Sequence, residues 1–221
     1  MLTLSHRGVQ TRAPENTLAA FEAAIALGVG GIETDIRLSR DGIPILFHDR
    51  LTPDGDEVAS VTQAELSDRV GYAISTLEEA LQLALLDSKE FLWNLEIKTP
   101  DALEPTIEIL RRYITSRRVL ITSFWHPLVV EIGRRIEVDC GLLVAHRPLN
   151  FQSRPDWIPN HPSINTLVYY YGTLDSEVVA QSQACGFRTF AYGAETHRDH
   201  ERLAQWQVDG VISDRPEFLL K

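Results

Sequence analysis

The sequence predicts an α/β fold: a (β/α)8 barrel of the TIM type, with a β-hairpin extension after the second strand and a short insertion at about 50–74. Three observations predict it. Short runs rich in Val, Ile, Leu and aromatic residues alternate with amphipathic stretches of helical period, which implies a parallel sheet covered by helices. The strand-like runs fall at 2–8, 31–38, 91–98, 118–124, 140–146, 165–171, 188–194 and 209–214, and their number, eight, is the one that closes a small barrel. A ninth run, "IPILFHD" at 43–49, is separated from the second only by "SRDG". That is too short for a parallel crossover, so the run must return as an antiparallel hairpin. A doubly wound open sheet is the competing architecture, but the chain has no GxGxxG or Walker loop. No Pro/Gly/Ser linker, composition shift or internal repeat divides it, so one domain over 1–221 is expected.

The elements follow in order. "LTLSHRG" opens as a strand, and a helix starts at about Thr17, with Leu18, Phe21 and Ile25 on one stripe and a stop at Gly28. Asn16 and Thr17 read as its N-cap. A helix over "STLEEALQLAL" begins at Ser75 with a capping box to Glu78. "FLWNLEIK" is a strand and 103–113 a helix, while "HPLVVEIGRR", "DSEVVAQSQAC" and "HRDHERLAQW" supply helices after later strands. "LVYYY", with Tyr169 and Tyr171 on one face, reads as barrel packing.

Composition bounds the function. Of 221 residues, 44% are hydrophobic and 24% charged, enough to bury a sizeable core. A net charge of −10 argues against nonspecific binding to nucleic acid or an anionic membrane. Cys140 and Cys185 lie far apart without CxxC or Cys/His spacing, which fits packed residues in a reducing compartment. Strand-like sequence from Leu2 leaves no room for a leader, and no apolar run approaches the ~20 residues of a membrane span. A cytoplasmic protein with no stable membrane anchor is expected.

Strand alternation places the chemistry. In "IETDIRL", Ile32, Thr34, Ile36 and Leu38 share one face, and Glu33, Asp35 and Arg37 the other. In "FLWNLEIK", Phe91, Trp93, Leu95 and Ile97 oppose Asn94, Glu96 and Lys98. Solvated antiparallel strands would alternate in the same way, but βα repeats leave no sheet face to water. Two strands therefore aim Glu33, Asp35 and Glu96 at one central place. Carboxylates withdrawn from water require a cation, and hard oxygen donors favour Mg2+ or Ca2+. If Asp41 and Gly42 form a two-residue turn, Asp35 faces His48 across the hairpin. His6 shares a face with Leu2 and Leu4 and points into the barrel mouth, where Arg7 and Lys98 add positive charge. A hard cation, two imidazoles and two fixed cations suit hydrolysis of a phosphodiester: the cations stabilise phosphoryl charge, one imidazole takes a proton and the other protonates the leaving alcohol.

The motifs "HRG", "PENTLAAFEAAIALG", "IETDIRLSRDGIPILFHD", "LEIK", "SF" and "VDGVISDRP" occur in this order over nearly the whole chain. Together the chain resembles the glycerophosphodiester phosphodiesterase family. The resemblance implies a divalent cation, Mg2+ or Ca2+, at Glu33, Asp35 and Glu96, with His6 and His48 as the acid/base pair. It also implies phosphate contacts from Arg7 and supports one from Lys98. The substrate implied is a small-molecule glycerophosphodiester, hydrolysed to glycerol 3-phosphate and an alcohol. A phospholipase D-like lysophospholipid hydrolase and a catalytically silent phosphodiester-binding barrel are the alternatives. Two stretches depart from the family pattern. The 50–73 segment is short and acidic, implying a smaller cover, and "YGAE" replaces the usual Trp-Thr-Val-Asn run. Tyr192 would then be the apolar wall for glycerol, and Glu195 would favour a cationic headgroup. Phe124, Trp125, His126 and His146 fall at strand ends as possible pocket lining, and Asp209 and Asp214 read as fixing loop geometry.

Overall fold

Among the described residues nine strands form one sheet: β1 (Leu2–His6), β2 (Gly31–Leu38), β3 (Pro44–Leu46), β4 (Leu92–Ile97), β5 (Arg118–Ser123), β6 (Asp139–Val144), β7 (Ile164–Tyr170), β8 (Arg188–Tyr192) and β9 (Gly210–Ser213). The computed structural model describes residues 1–83, 90–148 and 155–220. Eight strands pair in parallel in the order β1-β9-β8-β7-β6-β5-β4-β2, and β1 pairs with β2 to close the barrel. β3 is the antiparallel extension. Around the barrel lie α1 (Leu18–Leu27), α2 (Gln63–Val70), α3 (Leu77–Gln82), α4 (Leu103–Tyr113), α5 (His126–Arg135), α6 (Ser176–Ala184) and α7 (His197–Gln205). None of these is long and apolar enough to cross a membrane.

Burial of both strand faces produces two apolar layers. Leu4, Leu92, Leu120, Leu143, Val168, Phe190 and Ile212 fill the barrel interior. Ile32, Ile36, Trp93 and Leu95 pack outward against helices, with Phe21 of α1 meeting Trp93 edge-on at 5.7 Å between centroids. Tyr169 belongs to this outer layer rather than to the barrel interior, and its hydroxyl lies 3.1 Å from Ser182 Oγ on α6. Tyr171 falls beyond the strand, stacks on Trp206 and donates to Asp199. The insertion has its own small core, in which Val58, Val61, Leu66 and Ile74 enclose Ile45 of β3.

Two expectations shift by one residue. The helix box runs from Thr76 to Glu79, not from Ser75 to Glu78. "STLEE" contains both registers of the motif, and the later one buries Leu77, Ala80 and Leu81 while Ser75 Oγ accepts from Leu18 N–H. The last two residues of that expected helix, 84 and 85, lie outside the described residues. The hairpin also differs: Leu38 faces Pro44, Arg37 faces Ile45 and Ile36 faces Leu46. Its loop is Arg40–Gly42, with Gly42 in the left-handed region at φ 78° and Ser39 bonded to Ile43. The two-residue turn would have put Leu46 on the Arg37 face. The observed register instead buries Leu46 with the helices and Ile45 in the insertion core. Asp35 therefore faces Phe47, whose N–H donates to the Asp35 carbonyl at 3.0 Å, and not His48.

Candidate active site

At the C-terminal end of the barrel a cavity of about 150 Å³ is lined by His6, Arg7, Glu33, His48, Asn94, Glu96, Lys98, Phe124 and Tyr192, among others. Parallel pairing sets Asp35 beside Glu96 and Glu33 beside Asn94. One carboxylate oxygen each from Glu33, Asp35 and Glu96 lies within 4.8 Å of the others, and all three residues are buried.

The charges explain one another. Burial, then the neighbouring Asp35 and Glu96, holds the Glu33 carboxyl well above the usual range. Burial and Asp35 raise Glu96 too, against the pull of Lys98. Burial also opposes ionisation of Asp35, but Lys98 and Arg7 outweigh it and hold that carboxyl low. Lys98 Nζ sits 2.9 Å from Glu96 Oε1 and 3.2 Å from Asp35 Oδ1, and Arg7 Nε sits 3.0 Å from Asp35 Oδ2. Among the described residues, Arg7 Nε, Asp35 Oδ1 and Glu33 Oε2 are buried without a hydrogen-bond partner, so Arg7 and Lys98 meet Asp35 as ion pairs. Buried carboxylate oxygens left in this state fit a hard divalent cation, which would satisfy them together.

The histidines reach the pocket by different routes. His6 ends β1; its Nδ1 lies 2.7 Å from Asp214 Oδ1, leaving Nε2 3.7 Å from Glu33 Oε2. His48 lies just beyond β3, with Nδ1 2.9 Å from Asp49 Oδ1. Its carbonyl accepts from Arg37 Nε and Nη2 at 3.0 and 2.8 Å. Tyr192 turns inward from β8. Burial, with Glu96 and Tyr170 beside it, pushes its phenol up to about 12, so it remains a donor. Its ring meets Phe124 edge-on at 6.3 Å and Tyr170 at 5.6 Å.

Three roles were missed or misassigned from the sequence. Thr17 alone caps α1. Asn16, in the left-handed region at φ 58°, donates from Nδ2 to Asp35 Oδ2 at 2.9 Å and accepts from the Thr34 hydroxyl at 2.7 Å. Asn tolerates that backbone, which was the available signal in "ENT". Asp214 orients His6 and accepts from Gln10, whereas Asp209 does fix loop geometry by accepting from Thr189 N–H at 2.7 Å. Arg37 drew no role beyond its face. Of the strand-end candidates, Phe124 lines the pocket. His126 is turned to the Leu143 carbonyl and stacks on Trp157, while Trp125, His146 and Glu195 are exposed outside the lining.

Comparison with known proteins shows the family. The model of the glycerophosphoryl diester phosphodiesterase family matches residues 6–218. A glycerophosphodiester phosphodiesterase of Caldanaerobacter subterraneus subsp. tengcongensis is 31% identical, over 99% of this chain and 96% of its own. A Mycobacterium tuberculosis protein named probable glycerophosphodiester phosphodiesterase 2 is 37% identical, over 99% and 89%. The structure of an Oleispira antarctica phosphodiesterase in complex with the product sn-glycerol-3-phosphate superposes with a TM-score of 0.83 at 27% identity, covering 98% of this chain and 94% of that one. With the family model matched over nearly its whole length and these relatives at 31% and 37% identity, the chain belongs to the glycerophosphoryl diester phosphodiesterase family.

Proposed function

We propose that the protein hydrolyses glycerophosphodiesters to sn-glycerol 3-phosphate and an alcohol, using His6 and His48 as the acid/base pair and one divalent cation, Mg2+ or Ca2+, at Glu33, Asp35 and Glu96. The observation that carries this reading is a single cavity lined by Glu33, Glu96 and both imidazoles, with the buried Asp35 carboxylate within 4.8 Å of the other two and, among the described residues, one oxygen each of Glu33 and Asp35 without a hydrogen-bond partner. A cation held there would polarise a nonbridging phosphate oxygen and offset the charge of the diester. Arg7 and Lys98, already paired with the trio, are near enough to share charge building on the phosphoryl group. One imidazole accepts the proton of the attacking hydroxyl as the new P–O bond forms. The other delivers a proton to the departing alkoxide as the old P–O bond breaks. Asp214, bonded to Nδ1 of His6, leaves Nε2 of that ring as the atom that handles the proton. Tyr192 and Phe124 supply an aromatic wall, and the Tyr192 hydroxyl a donor, for the glycerol end.

The test is release of glycerol 3-phosphate from glycerophosphocholine by wild type with Mg2+ or Ca2+, with EDTA, and by His6→Ala. Turnover should need the cation and fall on the order of 100-fold or more in the variant. Turnover that survives EDTA refutes the cation, and turnover untouched in His6→Ala refutes the acid/base assignment.

A further inference from the structure

The last ladder bond of the hairpin is the one from Phe47 N–H to the Asp35 carbonyl. In that register the next residue of a continuing strand would face Thr34, on the side of Leu46 that packs against helices. His48 nevertheless lines the pocket beside His6 and Glu96. The ladder cannot aim it, because β3 has ended. Its side-chain partner Asp49 is adjacent in sequence and 72% exposed, a weak tether in water. The firm contact is on the main chain: Arg37, on the inward face of β2, donates two N–H groups to the His48 carbonyl. His6 needs no such brace, since it is held within β1 and bonded to Asp214.

We infer that Arg37 is a positioning residue: by gripping the His48 carbonyl it turns the chain leaving β3 so that the imidazole faces the reacting phosphoryl group. This rests on the reading of His48 as an acid/base group. Arg37 also lies near Asp35, Glu96, Asp49 and Asp101, so loss of its charge could act on the carboxylates instead. A lysine keeps the charge but cannot offer two donors in a fixed plane.

The experiment measures kcat and KM for glycerophosphocholine at saturating Mg2+, Mg2+ affinity and the melting temperature. The variants are Arg37→Met, Arg37→Lys, His48→Ala and each Arg37 variant combined with His48→Ala. Misplacing the imidazole should lower kcat on the order of 10- to 100-fold in Arg37→Met, and less in Arg37→Lys. KM and Mg2+ affinity should stay within about twofold, because substrate binding is untouched. Combined with His48→Ala, neither Arg37 variant should lose anything further, since the group it serves is gone. Should Arg37→Met fail to fold, Arg37→Lys and its double variant carry the same cycle. Full activity in Arg37→Lys, or effects that multiply in the double variants, overturns the inference. An inactive His48→Ala with wild-type kcat in Arg37→Met defeats the role of Arg37 alone. A fully active His48→Ala defeats the acid/base reading of His48 and this inference with it.

Discussion

Glu33 and Glu96 carry the electrostatic cost of the site, because burial and the neighbouring carboxylates hold both carboxyls above their ordinary values. A carboxyl raised in the folded state binds its proton more tightly there than in the unfolded chain, so its contribution to stability is complete below the unfolded value, about 4.3, and is lost as pH rises through the folded value. Asp35, held low, acts in the opposite sense and gives way only on acidification. Metal-free protein should therefore lose stability on going from mildly acidic to neutral pH. Mg2+ or Ca2+ should raise the melting temperature more at pH 7.5 than at pH 5.5 and release protons on binding, as calorimetry in two buffers would record. A cation-induced shift equal at both values would contradict the raised carboxyls. Asp214 makes a second test at this scale. In Asp214→Asn, His6 keeps a neighbour but loses a charged acceptor, and kcat should fall on the order of 10- to 100-fold with Mg2+ affinity unchanged. The carboxylate trio was legible in the sequence because two-residue alternation alone fixes where each acid points. Asp214, Asn16 and Arg37 were not legible in these roles. Asp214 meets His6 from 208 residues away, Asn16 reaches Asp35 through a left-handed backbone, and Arg37 grips a carbonyl rather than a charge.

Local chain direction at the scale of elements rests on a few left-handed residues. Gly8 (φ 84°) and Gly42 (φ 78°) share that conformation but not its surroundings. A Cβ on Gly42 would meet nothing within 4 Å, whereas one on Gly8 would lie 2.6 Å from the Ala20 carbonyl carbon in α1. Gly42→Ala should thus cost only the backbone preference, about 1–2 kcal/mol. Gly8→Ala adds a collision between the end of β1 and α1, for a further ~1–3 kcal/mol. Urea unfolding of the two variants should rank them in that order. Equal costs would mean that α1 yields to the new methyl. The hairpin illustrates why registers were harder to read than elements. "DG" between apolar runs is a strong turn signal, but the same residues serve a two- or a three-residue loop. The choice was made by where Ile45 and Leu46 could be buried, which depends on the insertion and α3 folding over them.

Over the whole molecule, the eight-strand count was legible because a parallel strand buried on both faces must be followed by a covering segment, and the chain repeats that rhythm to its end. Charge is distributed on the same scale and sets a different expectation. The chain carries −10 overall, yet its substrate is a phosphodiester, so the long-range field opposes the approach of an anion while Arg7 and Lys98, joined by the proposed cation, would attract it at short range. Salt separates the two contributions, because the screening length falls from ~30 Å at about 0.01 M to ~8 Å at about 0.15 M, longer than the contacts inside the pocket at either limit. At saturating Mg2+, kcat/KM for glycerophosphoglycerol, which is anionic, should rise over that range by up to a few-fold. For glycerophosphocholine, a zwitterion without net charge, it should change little. A fall with salt for the anionic diester would mean that the cations of the pocket project beyond its mouth and dominate the field a substrate meets.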